Sequence, residues 1–243
     1  MDIGTAGVVW IDPPPDEVKE YWWNLWYNAK HGPERFRLAG VLAWRRFEMV
    51  SGMPNGLAIP DEYKYFTLSD QRDTSVFLSQ EAKDLVAANI AESEEANTGE
   101  ALHVAEARWV SDTFERLPGL NDDYEPPFTE YILVVGYDVP TDQEAVFDTW
   151  MRDEYITHLT GLPGHVAARC FQPAAGYSHP RVAHRTDRTS PQRLTLCDFD
   201  TMEAFESGEF SPPSEPSGVA LTKCQLYKRL YPYPGFKHVS TLS

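Results

Sequence analysis

The feature that most constrains this chain is a set of residues that occurs twice, about half a chain length apart. Each copy has a tryptophan, a histidine, an aspartate, a phenylalanine, a serine and a glutamate in that order. The first copy comprises Trp23, His31, Asp70, Phe77, Ser79 and Glu81, and the second comprises Trp150, His158, Asp198, Phe205, Ser207 and Glu209. The tryptophans and the histidines are both 127 positions apart, which is too long for a solenoid repeat. The spacing therefore predicts two fused copies of one α/β unit of roughly 100 residues.

Hydrophobic periodicity and turn residues predict the order strand, helix, strand, strand, helix, strand in each unit. In the first unit we expect strands at 7–11, 41–50, 63–69 and within 104–114, with helices at 16–30 and 74–89. In the second we expect strands at 131–138, 166–171, 193–199 and 219–230, with helices at 143–158 and 202–207. Gly32 and Pro33 should end the first helix, and Thr141 with Glu144 forms a predicted capping box. This order is the ferredoxin-like split βαβ arrangement.

The two units are expected to close into one barrel. A four-stranded sheet with both helices on one face leaves its other face bare, so that face must pack against another layer. The equivalent sheet of the second unit can supply that layer. This predicts an α+β fold in which two ferredoxin-like sheets pack together as an intrachain barrel around a central space. Because residues 118–127 are rich in Gly, Asn, Asp and Pro, we place the boundary between units 1–120 and 121–243.

Composition excludes several classes of partner. The formal net charge of -16 would repel a nucleic acid or an anionic membrane surface, so neither is an expected partner. No apolar run approaches the length of a membrane span, and the chain does not open on a basic and apolar leader. Cys170, Cys197 and Cys224 lie in apolar, strand-like runs without CxxC spacing, which predicts buried free thiols and a cytoplasmic location.

Two helical stripes carry side chains suited to proton transfer. Trp23, Tyr27 and His31 are spaced four and four apart, and Trp150, Glu154 and His158 have the same offsets. Histidine exchanges a proton near neutral pH, tyrosine can donate to an oxyanion, and arginine can hold a carboxylate. The predicted catalytic sets are therefore His31, Tyr27 and Arg46 in the first unit, and His158, Glu154 and Arg169 in the second. Because Arg45 and Arg46 alternate along a strand, only one faces the cavity, and the sequence leaves open which.

Two segments carry a resemblance to a known family. Residues 26–48, WYNAKHGPERFRLAGVLAWRRFE, resemble the signature of EthD-like dimeric α+β barrel proteins, in which an aromatic helix leads to a histidine, a proline and charged residues. Residues 150–171, WMRDEYITHLTGLPGHVAARCF, lack the proline and the Glu-Arg pair after the histidine. The resemblance implies a barrel whose interior binds hydrophobic or aromatic small molecules. The aromatic residues that we expect to contact such a substrate are Trp23, Trp26, Trp150, Phe47 and Phe171.

The leading prediction is a cofactor-independent enzyme that performs general acid/base chemistry on a hydrophobic, aromatic small molecule, as a lyase or an isomerase. The family resemblance also extends to cyclases, decarboxylases and monooxygenases, so it does not name one reaction. One alternative is a haem enzyme with His31 or His158 as axial ligand, because duplicated units of this fold occur in haem proteins. Another is a non-catalytic protein that only binds an apolar ligand. A metal site is not expected, because no third ligand has suitable spacing.

Three further features have simpler interpretations. Asp70 and Asp198 end predicted strands and are expected to be turn or cap residues. The basic loop 176–193 is either a lid over the site or a solvated loop. Aromatic and proline residues alternate in the C-terminal tail from Tyr231 to Phe236. This pattern suits docking on another surface, so a homodimer is a second possibility beside a monomer.

Overall fold

The computed structural model describes residues 3–13, 15–51, 63–96, 108–117, 128–175, 190–211 and 213–230. The eight strands are β1 (Thr5–Asp12), β2 (Val41–Met49), β3 (Tyr65–Gln71), β4 (Arg108–Arg116), β5 (Tyr131–Asp138), β6 (His165–Pro173), β7 (Arg193–Phe199) and β8 (Ala220–Arg229). The α-helices are α1 (Glu17–Trp26), α2 (Gly32–Phe36), α3 (Ser75–Leu78), α4 (Gln80–Ala96), α5 (Glu144–Trp150), α6 (Ile156–Thr160) and α7 (Glu203–Glu206).

The strands form one closed antiparallel barrel in the order β1-β3-β2-β8-β5-β7-β6-β4. Each half of the barrel, β4-β1-β3-β2 or β8-β5-β7-β6, has the ferredoxin-like strand order, so the predicted fold class is confirmed. Short seams between β2 and β8 and between β4 and β6 join the halves, with Phe47 opposite Arg229 and Phe114 opposite Pro173. The predicted boundary near residue 120 lies outside the described residues, as does most of the loop 176–193.

The helix that follows the first strand of each unit contains a π-helical turn. Asp16 caps α1 by accepting the backbone N–H groups of Val18 and Lys19. A π turn at Tyr27–His31 then leads directly into α2, so Gly32 and Pro33 do not end the helix as predicted. Proline is tolerated there because it occupies the first turn of α2, where its missing N–H costs no hydrogen bond.

The equivalent turn in the second unit is Met151–Tyr155, between α5 and α6. The predicted capping box at Thr141 is wrong, because Thr141–Gln143 forms a 3-10 turn and no side chain caps the start of α5. Both π turns insert an extra residue at the same place in the fold. Such turns are rare and are frequent at functional sites.

The interior of the barrel is filled, which corrects the expected central space. Alternate side chains of the strands point inward and pack as one apolar cluster. Its buried members are Ala6, Val8, Trp10, Phe47, Tyr63, Phe66, Leu68, Val110, Phe114, Ile132, Val134, Phe171, Leu194, Leu196 and Tyr227. Phe47 and Phe171 are 0% exposed, so the two phenylalanines predicted to contact substrate belong to this core instead.

Two arginines and two aspartates form a closed ring of ion pairs inside the barrel. Arg45 contacts Asp70 at 2.5 Å and Asp198 at 3.2 Å, while Arg169 contacts Asp70 at 2.6 Å and Asp198 at 2.8 Å. Each arginine thus bridges the aspartate of its own unit and that of the other. All four side chains are almost completely buried. Asp70 and Asp198 are therefore interior partners of arginine and not the turn or cap residues that the sequence suggested.

Candidate active site

The first unit has a cavity of about 150 Å³ between the outer face of its sheet and its helices. Its floor consists of outward-facing strand residues, among them Gly7, Thr67, Ser69, Ser111 and Thr113. The π turn with the ends of its flanking helices forms one wall, and α3 with α4 forms the other. The cavity therefore lies outside the barrel wall and not in its centre.

Aromatic rings give the cavity its apolar character. Four tryptophans line it, namely Trp23, Trp26, Trp44 and Trp109. Gly32 permits the close approach of Trp44, because a Cβ at that position would lie 2.5 Å from the indole. Gly7 permits the approach of Phe77 in the same way, at 2.6 Å. Both glycines are therefore required by packing around the cavity, and neither has an unusual backbone angle.

Two polar atoms that face this cavity region have no hydrogen-bond partner. They are His31 Nδ1 and Asn89 Nδ2, both buried from solvent. Thr67 is only 2% exposed, and its side chain forms a hydrogen bond with Tyr27. Buried polar groups without partners are uncommon in proteins, because each costs about 1–3 kcal/mol of desolvation. Their convergence on one cavity indicates a place where a ligand supplies the missing partners.

His31 is held as a neutral base. Its ring lies 4.8 Å from the ring of Trp26 and 4.7 Å from that of Tyr27, measured between centroids. Burial lowers the pKa of His31 well below 6.5, and the positive charges of Arg35, Arg46 and Lys30 lower it further. At neutral pH the imidazole is therefore uncharged and able to accept a proton.

Arg46 lies beside the cavity in an aromatic cage. Its guanidinium is 4.6 Å from the ring centroids of Trp23, Tyr27 and Tyr65, and it donates hydrogen bonds to Asn24 at 2.5 Å and Asn28 at 2.9 Å. Burial lowers the pKa of Arg46 to about 10, and burial also raises the pKa of Tyr27. Arg46 and Arg45 thus face opposite sides of the barrel wall, Arg46 outward beside His31 and Arg45 inward in the ring.

The predicted set of the second unit does not come together. Glu154 is exposed on its helix, and Arg169 lies in the ring inside the barrel. His158 is half-buried and its Nε2 has no partner, but neither it nor Trp150 lines the cavity. Of the predicted site residues, the structure brings together Trp23, Trp26, Tyr27 and His31, with Arg46 against their rings.

Several cavity residues had no signal in the sequence. Thr67 is one of many strand positions, and Asn89 is one of two amide side chains, with Gln80, on a helix of mixed composition. Arg35, Trp44 and Trp109 also line the cavity and were not predicted. Strand alternation could have placed Trp44 on the same face as Arg46, because the two residues are two positions apart.

The same layer of the second unit contains a packed core. Its buried members include Leu133, Tyr137, Trp150, Met151, Tyr155, Leu159, Cys170, Cys197, Phe205, Cys224 and Leu226. Burial raises the pKa of the Cys170 thiol to about 12 and also raises the pKa of the Cys197 thiol, so both thiols remain protonated at neutral pH. In the described ranges no group of histidine, cysteine and carboxylate side chains could hold a metal ion. No helix in the same ranges is long and apolar enough to cross a membrane.

No protein-family model and no curated protein matches this sequence. Solved structures with a similar fold include an anthrone oxidase-like protein, with 10% identity, 95% of this chain and 92% of that chain covered, and a TM-score of 0.55. A mutant chlorite dismutase from Candidatus Nitrospira defluvii in complex with cyanide has 8% identity, coverages of 95% and 92%, and a TM-score of 0.52.

A DypB variant from Rhodococcus jostii RHA1 in complex with haem has 10% identity, coverages of 93% and 93%, and a TM-score of 0.50. Likenesses at these identities show the fold and no more.

The residues of this cavity do not fit a haem. His31 offers an imidazole without a hydrogen-bond partner, but its ring is stacked between Trp26 and Tyr27. A cavity of about 150 Å³ is comparable to one that holds a single benzene molecule, and a porphyrin contains four pyrrole rings. The equivalent layer of the second unit is already filled. By fold, the chain is a closed eight-stranded antiparallel barrel with two ferredoxin-like halves, similar to these solved structures.

Proposed function

We propose that this protein is an enzyme that abstracts a proton from a small apolar molecule of about one ring, with His31 as the general base and without a cofactor. The observation that carries this proposal is the neutral imidazole of His31, whose buried Nδ1 has no partner and which lines a cavity. A general base must be unprotonated at the working pH and within reach of the proton that it accepts. His31 is unprotonated at neutral pH, and its place in the cavity wall puts it within reach of a bound molecule.

The reaction step follows from the groups around the cavity. The proton of an acidic C–H or O–H bond moves to the imidazole of His31, and the electron pair remains on the substrate as an enolate or phenolate. Asn89 Nδ2 is a buried donor without a partner, so it can stabilise the oxygen on which this charge develops. The apolar tryptophans around the cavity lower the local dielectric constant, which strengthens this interaction.

Deuterium exchange tests the proposal without knowledge of the natural substrate. Cyclohexanone or phenylacetone is incubated with the protein in D₂O, and the loss of α-proton signal is followed by NMR. We expect exchange above the buffer rate, reduced by about a hundredfold or more in His31→Gln because general base catalysis contributes that much. His158→Gln is the matched control and should retain the wild-type rate. Equal exchange in the wild type and in His31→Gln would contradict the proposal.

A haem enzyme is the second candidate, because of the likeness in fold to DypB in complex with haem. For this candidate the helices would have to move away from the sheet, since the cavity has room for about one ring. Native mass spectrometry and an absorption scan of the purified protein discriminate the two. A mass increment of haem with a strong near-ultraviolet band would favour the haem enzyme, and a bare polypeptide mass would favour the first candidate.

A further inference from the structure

The charges around the cavity indicate which kind of ligand it accepts. The chain carries a formal net charge of -16, so its overall field repels anions. Around His31 the local balance is the reverse. Arg35 lines the cavity, and Lys30 and Arg46 are close enough to disfavour a proton on the imidazole.

The charge of Arg46 is not neutralised by an ion pair. Its hydrogen bonds go to the amide oxygens of Asn24 and Asn28, and its remaining neighbours are aromatic rings. Glu20 and Glu48 act on it electrostatically, but neither forms a salt bridge with it. Its Nε is buried and has no partner. A buried cation of this kind creates a positive potential in the adjacent space, because low-dielectric surroundings screen it little.

Asn89 and Arg35 supply hydrogen-bond donors at the cavity. Asn89 Nδ2 is a buried donor without a partner, and the guanidinium of Arg35 can only donate. Asp112 also lines the cavity, and its Oδ1 accepts the backbone N–H of Thr113 at 2.8 Å. The charged groups that act on the pKa of His31 are the cations Arg35, Arg46 and Lys30.

We infer that the ligand of this cavity is a small monoanion of about one ring, a carboxylate or phenolate whose charge faces Arg35 and whose ring lies among the tryptophans. This inference rests on the proposed function, because the carboxylate describes a substrate of the same site and the phenolate describes the product of proton abstraction from a phenol. The anion contributes an acceptor atom for Asn89 Nδ2, and the apolar lining selects an aromatic body. The protein as a whole is acidic, so the positive charge beside the cavity is a local feature. It favours an anionic ligand over a neutral ligand of the same shape.

Calorimetric titration of the intact protein with benzoate and benzamide tests this inference, because these probes share a shape and differ in charge. We expect the wild type to bind benzoate at least about tenfold more tightly than benzamide, since a charge-assisted hydrogen bond contributes that much. Arg35→Gln should remove this preference, and Arg35→Lys, which keeps the charge, should retain it. Phenol titrated below and above its pKa tests the phenolate form in the same way.

Arg37→Gln is the matched control, because Arg37 is exposed on the same segment and does not line the cavity. It should change the affinity for benzoate by less than about twofold, as expected for a screened surface charge. Thermal unfolding of all variants verifies that each is folded. Equal affinity for benzoate and benzamide overturns the inference about charge and leaves the proposed site in place. Failure of both probes to bind overturns the inference and the proposed site together.

Discussion

The helix–sheet layer of the first unit holds a cavity, whereas the equivalent layer of the second unit is a packed core of buried side chains. The strand pairing shows which positions differ. Gly7 lies opposite Ser69 and Thr113 in the first unit, and its equivalent Leu133 lies opposite Cys197 and Leu226 in the second. Small or polar side chains thus line the cavity at positions where larger, more apolar side chains fill the core.

The helices follow the same rule. His31 and Tyr155 each end a π turn, and Tyr27 and Met151 each begin one. Gly32 with Trp44 in the first unit corresponds to Ile156 with Ala168 in the second, so the large side chain has moved from the strand to the helix. The first unit also has the 17-residue helix α4, which contributes Val86 and Asn89 to the cavity. The second unit has only the four-residue α7. In this layer the first unit therefore leaves a cavity, and in the second unit side chains fill the corresponding space.

The barrel interior differs from both layers because the two units contribute to it equally. Arg45 and Arg169 occupy equivalent strand positions, as do Asp70 and Asp198. The ring that they form is symmetric between the units. The two units are thus alike in the centre of the fold and different in their outer layers, and ion pairs between the units join them in the interior.

Removal of one charge from the ring should have the largest effect. Asp70→Asn and Asp198→Asn should each lower the free energy of unfolding by about 3–5 kcal/mol, because each leaves a buried arginine without its counter-charge. Denaturant unfolding measures this loss. Asp200→Asn, on the surface at the end of β7, should change it by less than about 0.5 kcal/mol. A large loss in only one ring variant would contradict the symmetry of the interior.

Truncation of the equivalent residues Trp26 and Trp150 should destabilise the two helix–sheet layers to different extents. Trp150 is 5% exposed and packs in the core of the second unit, so Trp150→Ala should lower the free energy of unfolding by about 3–5 kcal/mol. Trp26 borders an existing cavity, so Trp26→Ala creates less new void and should lower it by about 1–2 kcal/mol. Thermal unfolding of both variants provides the comparison. Equal losses would show that the two layers are packed alike.

Exchange of the residue types at one pair of equivalent positions, Thr113 and Leu226, should change the free energy of unfolding less. The two substitutions should also differ from each other in their effect. Leu226→Thr introduces a hydroxyl and a void into the core of the second unit, which should lower the free energy of unfolding by about 2–3 kcal/mol. Thr113→Leu extends into the cavity of the first unit, so its cost should stay below about 1.5 kcal/mol. Thr113→Leu should nevertheless abolish benzoate binding by filling the cavity. Retained binding in a folded Thr113→Leu protein would argue against this cavity as the site.

The smallest expected difference between the two units is in how His31 and its equivalent Tyr155 affect the pH dependence of stability. Burial holds the pKa of His31 well below 6.5 in the folded state, whereas it is about 6.5 in the unfolded chain. Between these values the unfolded state binds more protons, so the free energy of unfolding falls as the pH is lowered below about 6.5.

Urea unfolding between about pH 5 and about pH 8 measures this slope. His31→Gln should reduce it. The remaining slope includes His165, whose pKa is also lowered by burial. Tyr155→Phe, the equivalent change in the second unit, should leave the wild-type slope intact. An unchanged slope in His31→Gln would show that His31 does not remain neutral in the folded protein.

Local patterns in the sequence were sufficient to predict most of the fold. The apolar runs at 131–138 and 193–199 predicted β5 and β7 with the bounds that the structure has. The order of elements followed from alternation and turn residues, and the closed barrel followed from the need to cover a bare sheet face. The filling of the barrel interior could not be predicted, because it depends on how side chains from distant strands share a volume.

The repeat that indicated duplication also misaligned the two units. Equivalent strands β1 and β5 are 126 positions apart, the π turns 124, and strands β3 and β7 128. Matching letters 127 apart therefore paired Trp23 with Trp150 and His31 with His158, whereas the structure matches Trp26 with Trp150 and His31 with Tyr155. Connections of different length shift the alignment within each unit, and only the strand pairing reveals these shifts. For this reason the residues predicted in the first unit lie close together in the structure, and those predicted in the second unit do not.

Indole N–H resonances provide the most direct test that the first unit alone holds the ligand site. The chain has seven tryptophans, of which Trp23, Trp26, Trp44 and Trp109 line the cavity and Trp150 lies in the core of the second unit. Benzoate is titrated into protein labelled with ¹⁵N at the indoles, and the resonances are assigned by single substitutions. We predict that the resonances of the four cavity tryptophans shift together in a saturable manner while that of Trp150 does not move. A saturable shift of Trp150 without shifts of the cavity tryptophans would contradict the account.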